Sequence, residues 1–298
     1  MEKQQVKEKQ KRIMFETFKS LVSYLEKNNY KWFVAYGTLL GTIRHKGMIP
    51  WDDDIDIIMP RSDYERLIKE REYIAKETNY CIVAPGDENY YLTIAKFYDK
   101  RTTLWEFEHY PKLFGVYVDI FILDYYCGNE RDFHEVIHSH QKLWNRYQNS
   151  ILEYSWNYLK FLIKGKHLST LIKYPLFYIK NHLTDKKKSL LDYSCFIEEF
   201  RNKNSGSPSF CAWLQQDIIY ESKWFDDYII MPFEDMVVRV PVGYHDYLTN
   251  RYGDYMTPPP VSEQVPSETH AHYYLNMSEG LTMEEVRNRI RMGEHLKL

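Results

Sequence analysis

Apolar positions along the chain follow two rhythms. From Gln5 to Asn28, residues Ile13, Met14, Phe18, Leu21, Val22 and Leu25 recur at three- and four-residue spacing, which predicts one amphipathic helix. Asn28-Asn29 then stops it. Short apolar runs follow at Trp32 to Tyr36, Ile55 to Met59, YCIVA from Tyr80, YLTIAKFYD from Tyr91, TTLWEF from Thr102 and VYVDIFILD from Val116. Runs of this length bounded by turn residues read as strands. Ser62-x-x-Glu65 has the form of a capping box and opens a helical segment, DYERLIKEREYIAKE. Strands interleaved with helices predict an α/β (α+β) fold.

From about Gly128 to Ser209 the pattern becomes helical and rich in aromatic residues, with a kink or break expected at Pro175. Between Trp156 and Lys188 eight lysines alternate with aromatic and aliphatic residues, against the single acid Asp185. A basic amphipathic insertion of this kind suits an anionic membrane surface. The competing reading is a helical cover for the sheet, its lysine stems shielding apolar surface. Further on, Met231 to Pro241 reads as a hairpin, Tyr244 to Tyr252 as a short helix closed by Gly253, and MEEVRNRIRMGEHLKL as a last helix. Three units are expected: 1–127 as the core, 128–209 as the insertion and 210–298 as a C-terminal segment.

The net charge of −3 gives no electrostatic case for nucleic-acid binding. The four cysteines lack C-x-x-C spacing, which argues against a zinc ribbon or disulfide scaffold. The charged N-terminus has no apolar run behind it, and no stretch has the length of a spanning helix, so a cytoplasmic protein is expected.

The candidate chemistry lies between Trp32 and Pro60. Asp54 and Asp56 flank Ile55, so on a strand they project from one face, roughly 6.5–7 Å apart. At an effective dielectric near 20 their repulsion is about 2–2.5 kcal/mol, which a cation would convert into binding energy. Asp56 and Asp119 each sit inside an apolar run, where a lone carboxylate is costly unless paired or metal-bound. A capping or loop-end acid cluster is the plainer alternative. Asp52 and Asp53 precede the strand and read as solvated charges, and Asp124 as a cap at a strand end. Gly37-Thr38 opens a helix after a strand. Backbone N–H groups there donate to phosphate, and glycine allows close approach, although such a turn is also ordinary. Arg44 is placed to act as a bidentate phosphate donor. Lys96 reads either as a phosphate contact or as a surface lysine on an edge strand.

A strand, a Gly-Thr turn into a helix, an Asp-x-Asp strand and a later Asp among apolar residues together resemble the polymerase-β-like nucleotidyltransferase fold, which implies a mixed, twisted sheet with flanking helices and a helical insertion. Gly37-Thr38, Asp54-Ile55-Asp56 and Val118-Asp119-Ile120 match that pattern in order. More narrowly, AYGTLLGTIRHKGMIPWDDDIDIIMPRSDYERL, followed by VYVDIFILD, resembles the LicD/fukutin-related phosphotransferase family. PFEDMVVRVPVGYHDYLTNRYGDYMTPPP resembles its closing segment.

The resemblance implies that Asp54, Asp56 and Asp119 are catalytic and hold one or two Mg²⁺ or Mn²⁺ ions. It implies that Gly37, Thr38, Arg44 and Lys96 bind substrate, and that His270 and His272 approach the phosphates. Gln264 stands where the family would carry an arginine. The implied reaction moves a phospho-substituent, phosphocholine or a ribitol or glycerol phosphate, from a CDP-linked donor to a sugar hydroxyl, with CMP leaving. The acceptor is a cell-surface glycan left open among a lipid-linked glycan, a teichoic acid, a capsule and a lipopolysaccharide, met in the cytoplasm or at the inner face of the membrane. Nucleotidyl transfer with pyrophosphate release, or a non-catalytic nucleotide- or glycan-binding role, are the alternatives.

Overall fold

The computed structural model describes residues 2–153, 159–160, 162–163, 168–205, 210–213, 218–265 and 272–294. Helix α1 (Glu2–Lys27) buries Phe18, Leu21 and Leu25 against the sheet, the face that its apolar stripe defines. Each side chain so buried contributes about 1.5–3 kcal/mol. The chain then reverses through Asn29, in the left-handed region at φ 53°. It continues through β1 (Phe33–Val34), α2 (Tyr36–His45), β2 (Asp56–Pro60), α3 (Arg61–Lys69), α4 (Arg71–Glu77), β3 (Tyr80–Val83), β4 (Ala95–Asp99), β5 (Thr103–Trp105) and β6 (Tyr117–Tyr126). Helices α5 (Glu130–Ile151), α6 (Leu168–His182) and α7 (Lys186–Lys203) follow. Strands β7 (Phe210–Trp213), β8 (Ile218–Glu221), β9 (Tyr228–Phe233) and β10 (Met236–Pro241) come next, then α8 (Tyr244–Tyr252), β11 (Tyr274–Asn276) and α9 (Met283–Arg291).

The main sheet is ordered β1-β2-β6-β4-β3, with β7 added to the far end of β6 and β8 to β7. Strands β2 and β6 run parallel and the other pairs of this sheet are antiparallel, so the sheet is mixed, as the resemblance implied. The C-terminal segment is woven into this body: β11 pairs with β5, and the β9–β10 hairpin packs on β1.

Two local expectations are corrected. Ser62 does not cap a helix: Pro60, with no side-chain cap bond, precedes α3, which begins at Arg61, so Ser62 already lies in the first turn. The capping box that does form is Thr282 with Glu285, at the start of α9. Pro175 lies within α6 and does not end it.

The insertion is anchored through its first and third helices. Phe133 and Ile137 of α5 and Phe200 of α7 close around Tyr126 at the end of β6. Trp144 Nε1 and Gln148 Nε2 both donate to the carbonyl of Tyr91, at 3.0 and 2.7 Å. Asp124 is not a simple strand-end cap: it takes a bidentate pair of bonds from Arg61, 2.8 and 2.6 Å, beneath these helices.

Candidate active site

The β2–β6 pair sets the geometry. In its parallel register Asp56 lies directly opposite Asp119, and on the next strand Lys96 lies opposite Asp119. The three residues form one row across the sheet. Side chains on a strand alternate faces, so this register brings them to a common face. Asp56, Asp119 and Lys96 are all buried, Lys96 to 2% exposure.

Lys96 is therefore not a surface lysine on an edge strand. Its strand is internal, flanked by β6 and β3. Its Nζ donates to Asp119 Oδ1 at 2.8 Å, lies 3.4 Å from Glu106 Oε1, and stands 3.3 Å from the centroid of the Tyr117 ring. Burial works against its charge, but Asp119 and Glu106 prevail and hold its pKa above the usual lysine value. Glu106 is the fourth buried group of the network. Tyr117 donates to its Oε1 at 2.5 Å and Tyr91 donates to its Oε2. Burial raises its pKa, yet the Lys96 charge and the two tyrosine hydroxyls outweigh that and leave the carboxyl below its ordinary range.

Asp56 is displaced the other way. Burial comes first, then the charges of Asp54, Asp119 and Asp52, and together they push its pKa well above the usual value against the pull of Lys96. A buried acid crowded by three others is a place where a cation would be stabilised. The donor set is carboxylate oxygen throughout, which suits Mg²⁺ or Mn²⁺ over softer metals. Among the described residues, the acids whose carboxylate oxygens already lie within 4.8 Å of one another are Asp52, Asp53 and Asp54. The expectation that Asp52 and Asp53 are merely solvated charges is thus corrected: both are half-buried, and Asp52 lines the cavity above Asp56.

That cavity has a volume of about 740 Å³ and is bounded by Asp52, Asp54, Asp56 and Asp119, with Lys96 and Glu106 behind them. Gly37 and Tyr36 form one wall. Helix α2 begins sharply: Ala35 is extended, and Tyr36 is left-handed at φ 46°, an uncommon conformation for a residue with a Cβ. Strain of this kind is tolerated where surrounding contacts enforce it, and here the Tyr36 ring packs 4.6 Å from that of Phe121. A Cβ built on Gly37 would lie 2.4 Å from Asp52 Oδ2, so glycine lets the Asp52 carboxylate sit against the helix start. Two distant elements prop that loop. Lys11 of α1 donates to the Pro50 carbonyl at 3.0 Å, and Glu234 in the β9–β10 turn accepts from the Met48 N–H at 2.9 Å.

The remaining sequence candidates divide. Thr38 does not line the cavity; it is buried, and its hydroxyl accepts the N–H of Asp56 at 2.8 Å, tying α2 to β2 beneath the acids. Arg44 also lies outside the cavity lining, its Nη1 donating to the Tyr255 carbonyl at 3.0 Å. Arg251 of α8 lines the wall instead, its guanidinium 4.4 Å from the centroid of Tyr36. His272 shares a 2.8 Å hydrogen bond with Gln10 of α1 and is not among the lining residues. His270 lies outside the described residues. Gln264 donates to the Pro259 carbonyl at 3.0 Å, while its neighbour Val265 lines the cavity.

Glu106 and Arg251 were not singled out by sequence reasoning. Glu106 carried the signal used for Asp56 and Asp119, an acid inside an apolar strand. Arg251 carried none, being one of several charged residues on a short surface helix.

A model of the LicD/FKTN/FKRP nucleotidyltransferase domain matches residues 29–175. The chain is 27% identical over 266 residues to the lipopolysaccharide cholinephosphotransferase LicD of Haemophilus influenzae, a match covering 84% of this chain and 91% of that protein. Uncharacterized proteins of Rickettsia typhi and Rickettsia prowazekii match shorter stretches, 41% identical over 58 residues and 34% over 70, which cover 20% and 22% of this chain. The domain match contains the strands that carry Asp56, Lys96 and Asp119, so residues 29–175 match the LicD/FKTN/FKRP nucleotidyltransferase domain, and the long match extends the likeness to LicD over most of the chain.

Proposed function

We propose that this chain is a phosphotransferase that moves phosphocholine from a CDP-linked donor to a sugar hydroxyl of a cell-surface glycan, with CMP as the leaving group. The observation that carries the reading is the in-register row Asp56–Asp119–Lys96 under a cavity walled by Gly37 and Arg251. The cholinephosphotransferase name of the Haemophilus relative supports the choice of cargo. In this reading residues 1–127 form the catalytic core, 128–209 an insertion facing the acceptor, and 210–298 complete the site.

Asp54, Asp56 and Asp119 hold Mg²⁺ or Mn²⁺, with Asp52 and Asp53 beside them. When bound, such an ion neutralises the charge of the transferring phosphoryl group. Asp119 orients the acceptor hydroxyl and takes its proton, and Lys96 fixes the direction in which its carboxylate points. Backbone N–H groups at the start of α2, opened by Gly37, and the guanidinium of Arg251 receive the diphosphate. Transfer of this kind depends mainly on positioning and charge neutralisation, so a rigid buried row of side chains suits it. Thr38 serves the same end by anchoring the strand that carries Asp56.

The test is a screen of purified protein with CDP-choline, CDP-ribitol and CDP-glycerol in the presence of glycan acceptor, reading CMP release. CMP from CDP-choline supports the proposal. CMP from a polyol donor alone would change the cargo, and pyrophosphate from CTP would replace the reaction with nucleotidyl transfer. Asp56→Asn is expected to lower turnover by a factor on the order of 10³ while the protein stays folded. Near-wild-type CMP release by that variant would reject the assignment.

A further inference from the structure

Helix α6 carries an apolar stripe that no part of the described chain covers. Ile172, Leu176, Ile179 and Leu183 are 80%, 74%, 59% and 81% exposed. The Leu183 N–H still bonds the Ile179 carbonyl at 3.2 Å, so helical geometry persists to the end of the stripe. At the α-helical repeat the four residues fall within an arc of about 60°. Scattered exposed aliphatics are ordinary, whereas four aligned along one helix face mark a contact surface. The helix is not adrift, because it contacts α5.

The charge beside the stripe identifies the occupant. Lys173 and Lys180 are exposed and run along one flank, two turns apart, and Lys186, Lys187 and Lys188 lie exposed just beyond its end. The acid in this stretch, Asp185, is engaged in capping α7 through the Lys188 N–H at 3.0 Å. No helix of the described residues is long and apolar enough to cross a membrane, so a surface-lying geometry is the one open to this element.

We propose that the exposed face of α6 docks on an anionic lipid bilayer, the four aliphatic side chains entering the interface and the lysines meeting lipid phosphates. The proposal stands apart from the catalytic reading, since it involves none of the residues around the cavity. It would hold the enzyme at the surface where a lipid-linked acceptor resides.

Flotation of the full-length protein with phosphatidylcholine vesicles, with and without added phosphatidylglycerol, tests it. Recovery with the anionic vesicles, falling as salt is raised, is expected. The combined Ile172→Gln, Leu176→Gln, Ile179→Gln and Leu183→Gln variant should lose that recovery while keeping the wild-type circular dichroism spectrum. Lys173→Gln with Lys180→Gln should weaken partitioning about tenfold or more, at roughly fivefold per lysine. Equal binding to neutral and anionic vesicles, or none to either, overturns the proposal. So does a concentration-dependent dimer in sedimentation that the four-residue variant abolishes, which would give this face to a second copy of the chain.

Discussion

Asp119 is shared between two neighbours in the sheet, lying opposite Asp56 on one side and opposite Lys96 on the other. The ammonium group 2.8 Å from its carboxylate also pairs with Glu106, so one buried lysine faces three buried acids, and Asp56 is the one whose pKa the crowding pushes up. The floor of the site thus carries more acids than its lysine can balance, before the loop acids Asp52, Asp53 and Asp54 are added. This surplus is the electrostatic basis for assigning a cation and phosphate chemistry to the cavity.

Lys96 holds two buried carboxylates, so Lys96→Met should destabilise the fold by about 3–5 kcal/mol by leaving Asp119 and Glu106 uncompensated. Adding Glu106→Gln to that variant should restore part of the loss. Urea unfolding of the single and double variants measures both. Wild-type stability in Lys96→Met would show that the network does not carry this energy.

Arg251→Ala should raise KM for the CDP-linked donor about 10- to 100-fold, the worth of charge-assisted hydrogen bonds to phosphate. Arg44→Ala should change it little, since Arg44 bonds the Tyr255 carbonyl outside the cavity. Steady-state kinetics with varied donor distinguishes the two arginines, and the reverse ranking would return the phosphate role to Arg44.

Gly37→Ala places a methyl group 2.4 Å from Asp52 Oδ2. The Asp52 carboxylate must move, and kcat/KM is expected to fall about tenfold or more, because catalysis by positioning is sensitive to displacements of this size. Thermal unfolding should show a smaller effect than the kinetics. An alanine variant with full activity would mean that the loop over α2 tolerates displacement.

His140 gives the fold an acid-sensitive element away from the cavity. Burial under the insertion lowers its pKa to about 4, with Asp124 and Arg61 acting in opposite directions, and its Nε2 meets the Tyr193 hydroxyl at 3.1 Å. In the unfolded chain the imidazole titrates near pH 6.5. The unfolded state therefore binds a proton first as pH falls, and stability declines between about 6.5 and 4, by roughly 3 kcal/mol in all. Above pH 6.5 both states are neutral and the contribution is flat. His140→Gln should reduce the slope of unfolding free energy against pH in that window.

Local pattern was enough for much of the framework. The stripe Phe18, Leu21 and Leu25 indicated α1 and its buried side, and acids inside the apolar runs of β2 and β6 pointed to Asp56 and Asp119. The same rule applied to TTLWEF would have singled out Glu106. Lys96 was legible as a lysine in an apolar strand, but its internal position was not, because strand order is set by long-range pairing and leaves no local trace.

By itself, then, the sequence determined which segments are strands and helices and which acids had to find a partner, since periodicity and the cost of a lone buried charge act within a few residues. Tertiary structure alone decided who the partners are. The parallel register of β2 and β6 set Asp56 beside Asp119, and the antiparallel register of β4 brought Lys96 to the same row. Packing of α8 against the start of α2 delivered Arg251 to a wall more than two hundred residues from Tyr36 in the chain, a contact no local pattern encodes.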